Sequence, residues 1–205
     1  MTEDEGLRER KKRETRVALS RAAIRLCVQR GWANVTIEDI AGEADVSVRT
    51  FRNYFGSKAE AIAASHIERM RCIAEDLREQ DRDAPLWEAI VDSVVRQFAA
   101  GTERPKDQRW TEAVRLVLSE PALHGEVVKA GAVAQTELAE AVAERTGTDV
   151  GTDLYPKLVA AIVLAISGQA VDHCLGAEPP VPLGPTLRDA FAQLVAGLPE
   201  PGRRR

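Results

Sequence analysis

Apolar residues recur at helical spacing along most of this 205-residue chain. In the first such stretch, at about residues 8–30, one stripe occupies positions i, i+4, i+7 and i+8 of a helix: Leu19, Ala23, Leu26 and Cys27. Gly31 follows, where a glycine commonly ends a helix. No run alternates apolar and polar residues as a half-buried strand does. The pattern therefore predicts an all-α fold of about nine helices.

Helix-capping residues divide the next part of the chain into short elements. Thr36 is a good N-cap and has Asp39 three residues on, while Ser57 and Glu60 form a Ser-x-x-Glu capping box. Between these two caps, Ser47 caps a further helix. The three caps predict a long helix, a short helix, a tight turn and a second short helix. That order is the layout of a helix-turn-helix unit.

The second short helix, at about residues 47–54, has two distinct faces. Phe51, Phe55 and part of Val48 lie on the predicted inner face. The outer face carries hydrogen-bond donors that suit base edges and phosphates, namely Arg49, Thr50, Arg52 and Asn53. This face predicts contact with DNA.

The charge is unevenly distributed along the chain. Residues 7–30 hold nine Lys or Arg and two acidic residues, whereas residues 61–205 hold 16 basic and 22 acidic residues. A basic end on an acidic body predicts a polyanionic partner for that end alone. The first basic side chains can form either solvated helix surface or contacts with phosphate or a groove; they are Arg8, Arg10, Lys11, Lys12, Arg13 and Arg16.

Composition also excludes several classes of protein. The three cysteines are far apart, and the three histidines lack the spacing of metal ligands. The chain shows no phosphate-binding glycine loop and no nucleophile motif. Its N-terminus lacks the apolar segment of a secretory signal. We therefore expect a soluble cytoplasmic protein that is not an enzyme and uses neither a metal nor a cofactor.

Three runs at fixed spacing carry a family resemblance: TIEDIA at residues 36–41, ADVSVRTFRNYF at residues 44–55, and SK at residues 57–58. With these runs the chain resembles the tetracycline-repressor (TetR) family of transcription regulators. Asp45 departs from the glycine that the family usually has in the turn, but Asp tolerates the left-handed conformation better than most residues. Arg52 stands where the family usually has an aromatic residue.

The resemblance implies roles for individual residues at the DNA. Thr36, Tyr54 and Lys58 would hold phosphates, and the phosphate at Lys58 would also meet a helix N-terminus. Ser47, the cap of the second short helix, belongs to the same surface. The residues implied to face the major groove are Val48, Arg49, Thr50, Arg52 and Asn53.

The resemblance also implies a ligand cavity in the second part of the chain. His66 and Met70 share a helical stripe, and so do Trp87 and Val91, and Trp110 and Val114. Ordinary core packing explains these stripes as well as a pocket does. Because the stripes are aliphatic and aromatic, a ligand bound there would be an apolar small molecule.

Residues 157–175 are apolar nearly all round, which predicts a helix buried on most of its faces. The longest apolar stretch within them has about 14 residues, fewer than the roughly 20 of a membrane span, so no membrane partner is expected. Pairing with a second copy would bury this helix and the last one in a four-helix bundle. The predicted interface residues are Leu158, Ala161, Ile162, Ala165, Gly168, Phe191 and Leu194.

Together these features predict a helix-turn-helix DNA-binding domain at residues 1–58 and an effector-binding and dimerisation domain at residues 59–198. A disordered tail is expected at residues 199–205. The expected protein is a homodimeric repressor that leaves a palindromic double-stranded DNA operator when a small ligand binds. The alternative is a helix-turn-helix regulator without a small-molecule effector, which is controlled by a protein partner or acts as an activator.

Overall fold

The computed structural model describes residues 3–99, 108–179 and 181–199, with the backbone alone at residues 3–5, 99 and 108–110. Its nine α-helices are α1 (Glu3–Arg30), α2 (Ile37–Glu43), α3 (Val48–Tyr54), α4 (Lys58–Glu79), α5 (Leu86–Ala99), α6 (Gln108–Leu118), α7 (Pro121–Thr146), α8 (Tyr155–Gly176) and α9 (Leu183–Val195). A short 3₁₀ helix, Trp32–Asn34, links α1 to α2. The described residues contain no strand, and the predicted all-α fold is confirmed.

The chain folds into two compact units. The first consists of Met1–Arg69 and Asp107–Ala134, and the second of Met70–Lys106 and Gln135–Arg205. Both α4 and α7 therefore contribute their first residues to the first unit and their last residues to the second. Apart from Pro199, the predicted disordered tail lies outside the described residues.

The first unit has an aliphatic and aromatic core in which α1 packs against α2 and α6. The predicted stripe of Leu19, Ala23, Leu26 and Cys27 is at most 2% exposed. Gly31 follows with a φ of 81°, as expected for the glycine that ends α1. These two observations confirm the core face and the end of the first helix.

Helix α1 begins at Glu3, earlier than the start predicted near residue 8. Residues 6–12 are all exposed, so no apolar stripe marks this part of the helix in the sequence. Side-chain pairs at helical spacing stabilise it instead: Glu9 lies 3.8 Å from Lys12, and Arg10 lies 3.6 Å from Glu14.

In the second unit, α9 packs against α5 and α8. Phe191 on α9 is fully buried, and its ring centroid lies 6.4 Å from that of Trp87 on α5. The assignment of Phe191 to a dimer interface was therefore wrong, because a side chain with no exposed surface cannot contact a partner. It belongs to the core of its own subunit.

Arg145 fixes the loop between α4 and α5 to α7. Its guanidinium donates hydrogen bonds to the carbonyl oxygens of Leu77, Gln80, Asp81 and Ala84. These carbonyls lie at and just beyond the end of α4, where a helix leaves its last carbonyl groups without partners of its own. One arginine thus supplies hydrogen-bond donors to four carbonyl oxygens near the C-terminal end of α4.

Helix α8 is the most apolar of the described helices, with a mean hydropathy of 1.7 over 18 residues. By length and composition alone its 22 residues could cross a membrane, so the shorter apolar stretch counted in the sequence does not exclude a span. Only 28% of that window is buried within the chain. The helix thus presents apolar residues, including Leu158 at 49% exposure, on its outer side.

Candidate nucleic-acid interface

Two N-caps set the start of the short helices α2 and α3. The Thr36 hydroxyl accepts a hydrogen bond from the Asp39 backbone N–H at 3.1 Å, and the Asp39 carboxylate accepts one from the Thr36 N–H at 2.9 Å. The Ser47 hydroxyl accepts one from the Thr50 N–H at 3.0 Å. Both predicted caps are confirmed, and the first is a complete capping box.

The Thr36 hydroxyl also donates to the Asp39 carboxylate at 2.7 Å. The bonds from the backbone and the side chain of Thr36 hold the pKa of Asp39 below its usual value. Asp39 therefore stays ionised at neutral pH and keeps the cap in place at the exposed start of α2.

The turn between α2 and α3 contains Asp45 in the left-handed conformation, with a φ of 54°. The Asp45 N–H donates to Gly42 O at 3.2 Å, and the Val46 N–H donates to Ala41 O at 2.9 Å. These two bonds form the Schellman motif that ends a helix. Asp45 thus occupies the position that glycine usually takes, as its tolerance of this conformation allows.

Helix α3 separates a buried side from an exposed one. Phe51 is fully buried and Phe55 is 1% exposed, with ring centroids 5.8 Å apart. Arg49, Arg52 and Asn53 are exposed. The other residues predicted to contact DNA on this helix, Val48, Thr50 and Tyr54, are half-buried.

The third predicted cap differs from the expected capping box. The Ser57 hydroxyl accepts from the Glu60 N–H at 3.1 Å, as predicted. The Glu60 carboxylate, however, accepts from the N–H of Gly56 at 2.7 Å rather than from that of Ser57. It reaches one residue further back, into the connection between α3 and α4.

Lys58, the first residue of α4, lies against the link between α1 and α2. Its ammonium donates to Trp32 O at 2.5 Å and to Val35 O at 2.8 Å. It also lies 4.4 Å from the centre of the Trp32 ring, in the geometry of a cation–π interaction. Sequence reasoning missed these contacts, because Trp32 precedes Lys58 by 26 residues.

Two side chains of the basic arm also contact the rest of the first unit. Arg13 forms an ion pair with Glu68 on α4, with a guanidinium nitrogen 2.6 Å from the carboxylate. Arg16 lies 4.7 Å from the centre of the buried Phe55 ring. Part of the arm therefore packs on its own unit, whereas Arg8 and Lys11 are exposed.

The predicted ligand residues fall in both units. In the first unit, His66 and Val114 are half-buried. Burial, with a smaller contribution from Arg69, lowers the pKa of His66. In the second unit, Met70 is fully buried, whereas Trp87 and Val91 are half-buried. The side chain of Trp110 lies outside the described residues.

Similarity to known proteins agrees with this geometry. The family of bacterial regulatory proteins called the tetR family matches residues 19–64, which contain α2, α3 and the beginning of α4. The MftR C-terminal domain family matches residues 84–199, more than half of the chain. The two matches thus cover the helix-turn-helix unit and most of the remaining chain.

Relatives and a solved structure extend the similarity over most of the chain. TcmR of Streptomyces glaucescens, a helix-turn-helix transcriptional regulator, is 30% identical over 171 residues, covering 78% of this chain and 73% of that protein. A protein named as the mycofactocin biosynthesis transcriptional regulator MftR, from Mycobacterium tuberculosis, is 30% identical over 186 residues, covering 88% and 89%.

The structure of FadR from Thermus thermophilus, a TetR-family repressor in complex with lauroyl-CoA, aligns with a TM-score of 0.56 at 20% identity, over 93% of this chain and 98% of that one. This likeness shows the shared fold. The proteins of these families are transcriptional regulators and not enzymes. The chain therefore belongs to the TetR family of DNA-binding transcriptional regulators, with a C-terminal domain of the MftR type.

Proposed function

We propose that this regulator is a homodimeric repressor that binds a two-fold symmetric operator and leaves it when a small apolar ligand binds. The observation that carries the proposal is the exposed, donor-rich side of α3, held between a capped start and a buried aromatic pair. In this scheme residues 1–58 bind the DNA, and residues 59–198 bind the effector and the second subunit. The protein acts in the cytoplasm.

Arg49, Arg52 and Asn53 read base edges in the major groove. All three are exposed, and within the described part of the chain neither arginine is paired with a carboxylate. Arginine suits guanine and asparagine suits adenine, because each can donate or exchange two hydrogen bonds with the base edge. Val48 and Thr50 lie at the edge of this surface.

Thr36, Ser47, Tyr54 and Lys58 set the position on the DNA backbone. The hydroxyls of Thr36 and Ser47 are engaged in their caps, so their contribution is to hold the N-termini of α2 and α3 toward phosphate. An ammonium has three N–H groups, and two of those of Lys58 already bind carbonyls. At most one is left for a phosphate.

The exposed apolar side of α8 supports the homodimer. Leu158, Ala165 and Gly168 are exposed, and Ala161 and Ile162 are half-buried. Leu194 on α9 is also half-buried. A stable dimer buries roughly 800 Å² on each subunit, and small residues let two helices approach closely. Pairing with a second copy covers this apolar surface without a membrane.

The effector enters through the second part of the chain, and Met70, Trp87 and Val91 are the candidate lining residues that lie in the second unit. The FadR structure from T. thermophilus holds lauroyl-CoA, whose acyl chain matches the apolar class of ligand expected here. Acyl-CoA thioesters are therefore the first compounds to test. A ligand shifts the DNA-bound state only by its difference in affinity between the two conformers.

The test is selection of bound duplexes from random DNA with the purified protein, repeated in the presence of acyl-CoA thioesters and apolar drugs. We expect a two-fold symmetric site that one compound class disrupts. A symmetric site that no compound disturbs would favour a protein partner as the effector. Failure to enrich any site at low salt would refute DNA recognition by α3.

Two variants test the parts of the proposal separately. Arg49→Ala should relax base preference at one position in each half-site, at a cost of roughly 1–3 kcal/mol; equal weakening on all sequences would make Arg49 a phosphate contact.

Ala165→Glu should split the dimer in sedimentation, and Glu140→Ala, at an exposed position on α7, serves as a control for altered charge. An unchanged mass for Ala165→Glu would exclude the α8 interface.

A further inference from the structure

We propose that Lys58 is a positioning residue that holds the link between α1 and α2 onto the first turn of α4. This attachment fixes the position of α2 relative to α4. Because α3 packs against α2, it also fixes the position of the DNA-reading helix α3. The role is distinct from a phosphate contact. It rests on DNA binding by this family and not on the identity of the effector.

Three interactions of one side chain carry the inference. The Lys58 ammonium bonds Trp32 O at 2.5 Å and Val35 O at 2.8 Å, and it lies 4.4 Å from the centre of the Trp32 ring. These two carbonyls stand near the two ends of the segment that joins the helices. The residue after Val35 is Thr36, which caps α2.

The link has few backbone bonds of its own. The Val35 N–H donates to Trp32 O at 3.5 Å, and the Asn34 N–H donates to Gly31 O at 3.3 Å, both near the long end of hydrogen-bond distances. Hydrogen bonds from a charged donor are roughly twice as strong as neutral ones. The two bonds from Lys58 are therefore the strongest hydrogen bonds that the carbonyls of Trp32 and Val35 accept.

A displacement of the first turn of α4 passes through Lys58 to the entry of α2. Helix α2 contacts α3, and the hydrogen-bonded Schellman turn at Asp45 is the short connection between them. The exposed side of α3 thus moves with α4. The position of the first turn of α4 therefore determines the position of the DNA-binding surface.

The salt dependence of DNA affinity separates positioning from phosphate binding. Losing a phosphate contact reduces the slope of log affinity against log salt by about 0.9 per contact and leaves the affinity extrapolated to 1 M salt unchanged. Losing a positioning contact lowers that extrapolated affinity. We expect Lys58→Met to lower it about tenfold or more on a duplex carrying the selected site.

Lys129→Met is the matched control, because Lys129 lies in the same unit, is 73% exposed and pairs with Glu126. It removes the same charge without touching the link, so its affinity extrapolated to 1 M salt should equal that of the unaltered protein. An unchanged extrapolated affinity for Lys58→Met, with a reduced slope, would overturn the proposal and leave Lys58 as a phosphate contact.

Lys58→Arg decides the matter if Lys58→Met does not fold. Arginine binds phosphate at least as well as lysine, but its longer side chain and planar guanidinium do not reproduce the position of the Lys58 ammonium between Trp32 O and Val35 O. Positioning predicts weaker DNA binding at an unchanged salt slope. Affinity equal to that of the unaltered protein would overturn it.

Trp32 fluorescence tests the contact without DNA. In a background of Trp87→Phe and Trp110→Phe, emission comes from Trp32 alone, since the chain has three tryptophans. Lys58→Met in that background should change the intensity and wavelength of the emission, because the ammonium over the ring is lost. Identical spectra would refute the contact even if the protein bound no DNA.

Discussion

Substitutions at Asp45 measure the backbone strain in the turn between α2 and α3. The φ of 54° at Asp45 costs an ordinary L-residue roughly 1–2 kcal/mol, and Asp somewhat less. The side chain is exposed, so substitution leaves core packing unchanged. Differences among variants at this position therefore report the conformational cost alone.

We expect Asp45→Ala to lower the free energy of unfolding by about 0.5–1 kcal/mol, because alanine lacks the tolerance of Asp for this conformation. Asp45→Gly removes the strain but adds about 0.5–1 kcal/mol of backbone entropy to the unfolded chain. Its stability should equal that of the unaltered protein or exceed it by up to about 1 kcal/mol. The two variants should thus differ by about 1 kcal/mol, or roughly 2–4 °C in melting temperature.

Equilibrium urea unfolding followed by circular dichroism measures the series. Asp83→Gly is the matched control, since Asp83 is an exposed turn residue without a positive φ. There glycine should only destabilise the protein, through the entropy of the unfolded chain. Equal stability of Asp45→Ala and Asp45→Gly, or a higher stability of the alanine variant, would refute the reasoning.

Further measurements test the second unit and the histidines. Arg145→Met should lower the free energy of unfolding by about 2–4 kcal/mol in urea, because four carbonyls lose a charged donor; Arg78→Met, which breaks an ion pair with an exposed carboxylate, should cost less than about 1 kcal/mol. Phe191→Ala should cost about 3–5 kcal/mol, whereas an interface residue would leave the isolated subunit unaffected. Because burial lowers the pKa of His66, the unfolded chain takes up a proton first on acidification, so stability should fall between about pH 7 and pH 5. His66→Gln should flatten that dependence in urea midpoints measured across this range.

Much of the DNA-binding unit could be predicted because its signals are local. A cap bonds a backbone N–H three residues away, so Thr36 and Ser47 identify the starts of α2 and α3 without knowledge of the fold. The apolar stripe of α1 and the glycine after it mark the core face and the end of that helix in the same way. Asp45 was compatible with the turn for an equally local reason, because its short polar side chain tolerates the left-handed conformation.

Some predictions were wrong where the sequence carried no local signal for the contact or the helix end. Phe191 looked like one more residue of an apolar stripe, and only its packing on Trp87 shows that it is a core residue of its own subunit. The start of α1 was placed too late because its first turns are exposed and carry no periodic signal. The carboxylate of Glu60 accepts a hydrogen bond from the N–H of Gly56 and not from that of Ser57. Residue spacing alone does not distinguish these two neighbouring donors.

The sequence by itself determined the all-α class, the capped helix-turn-helix and the exposed donors of α3, since helical periodicity and capping act within a few residues. Only the tertiary structure decided that Lys58 lies between the carbonyls of Trp32 and Val35, and that Arg145 closes the end of α4. Both side chains satisfy backbone groups 23 or more residues away. A long charged side chain can reach many such acceptors, and which of them it meets depends on how the helices pack.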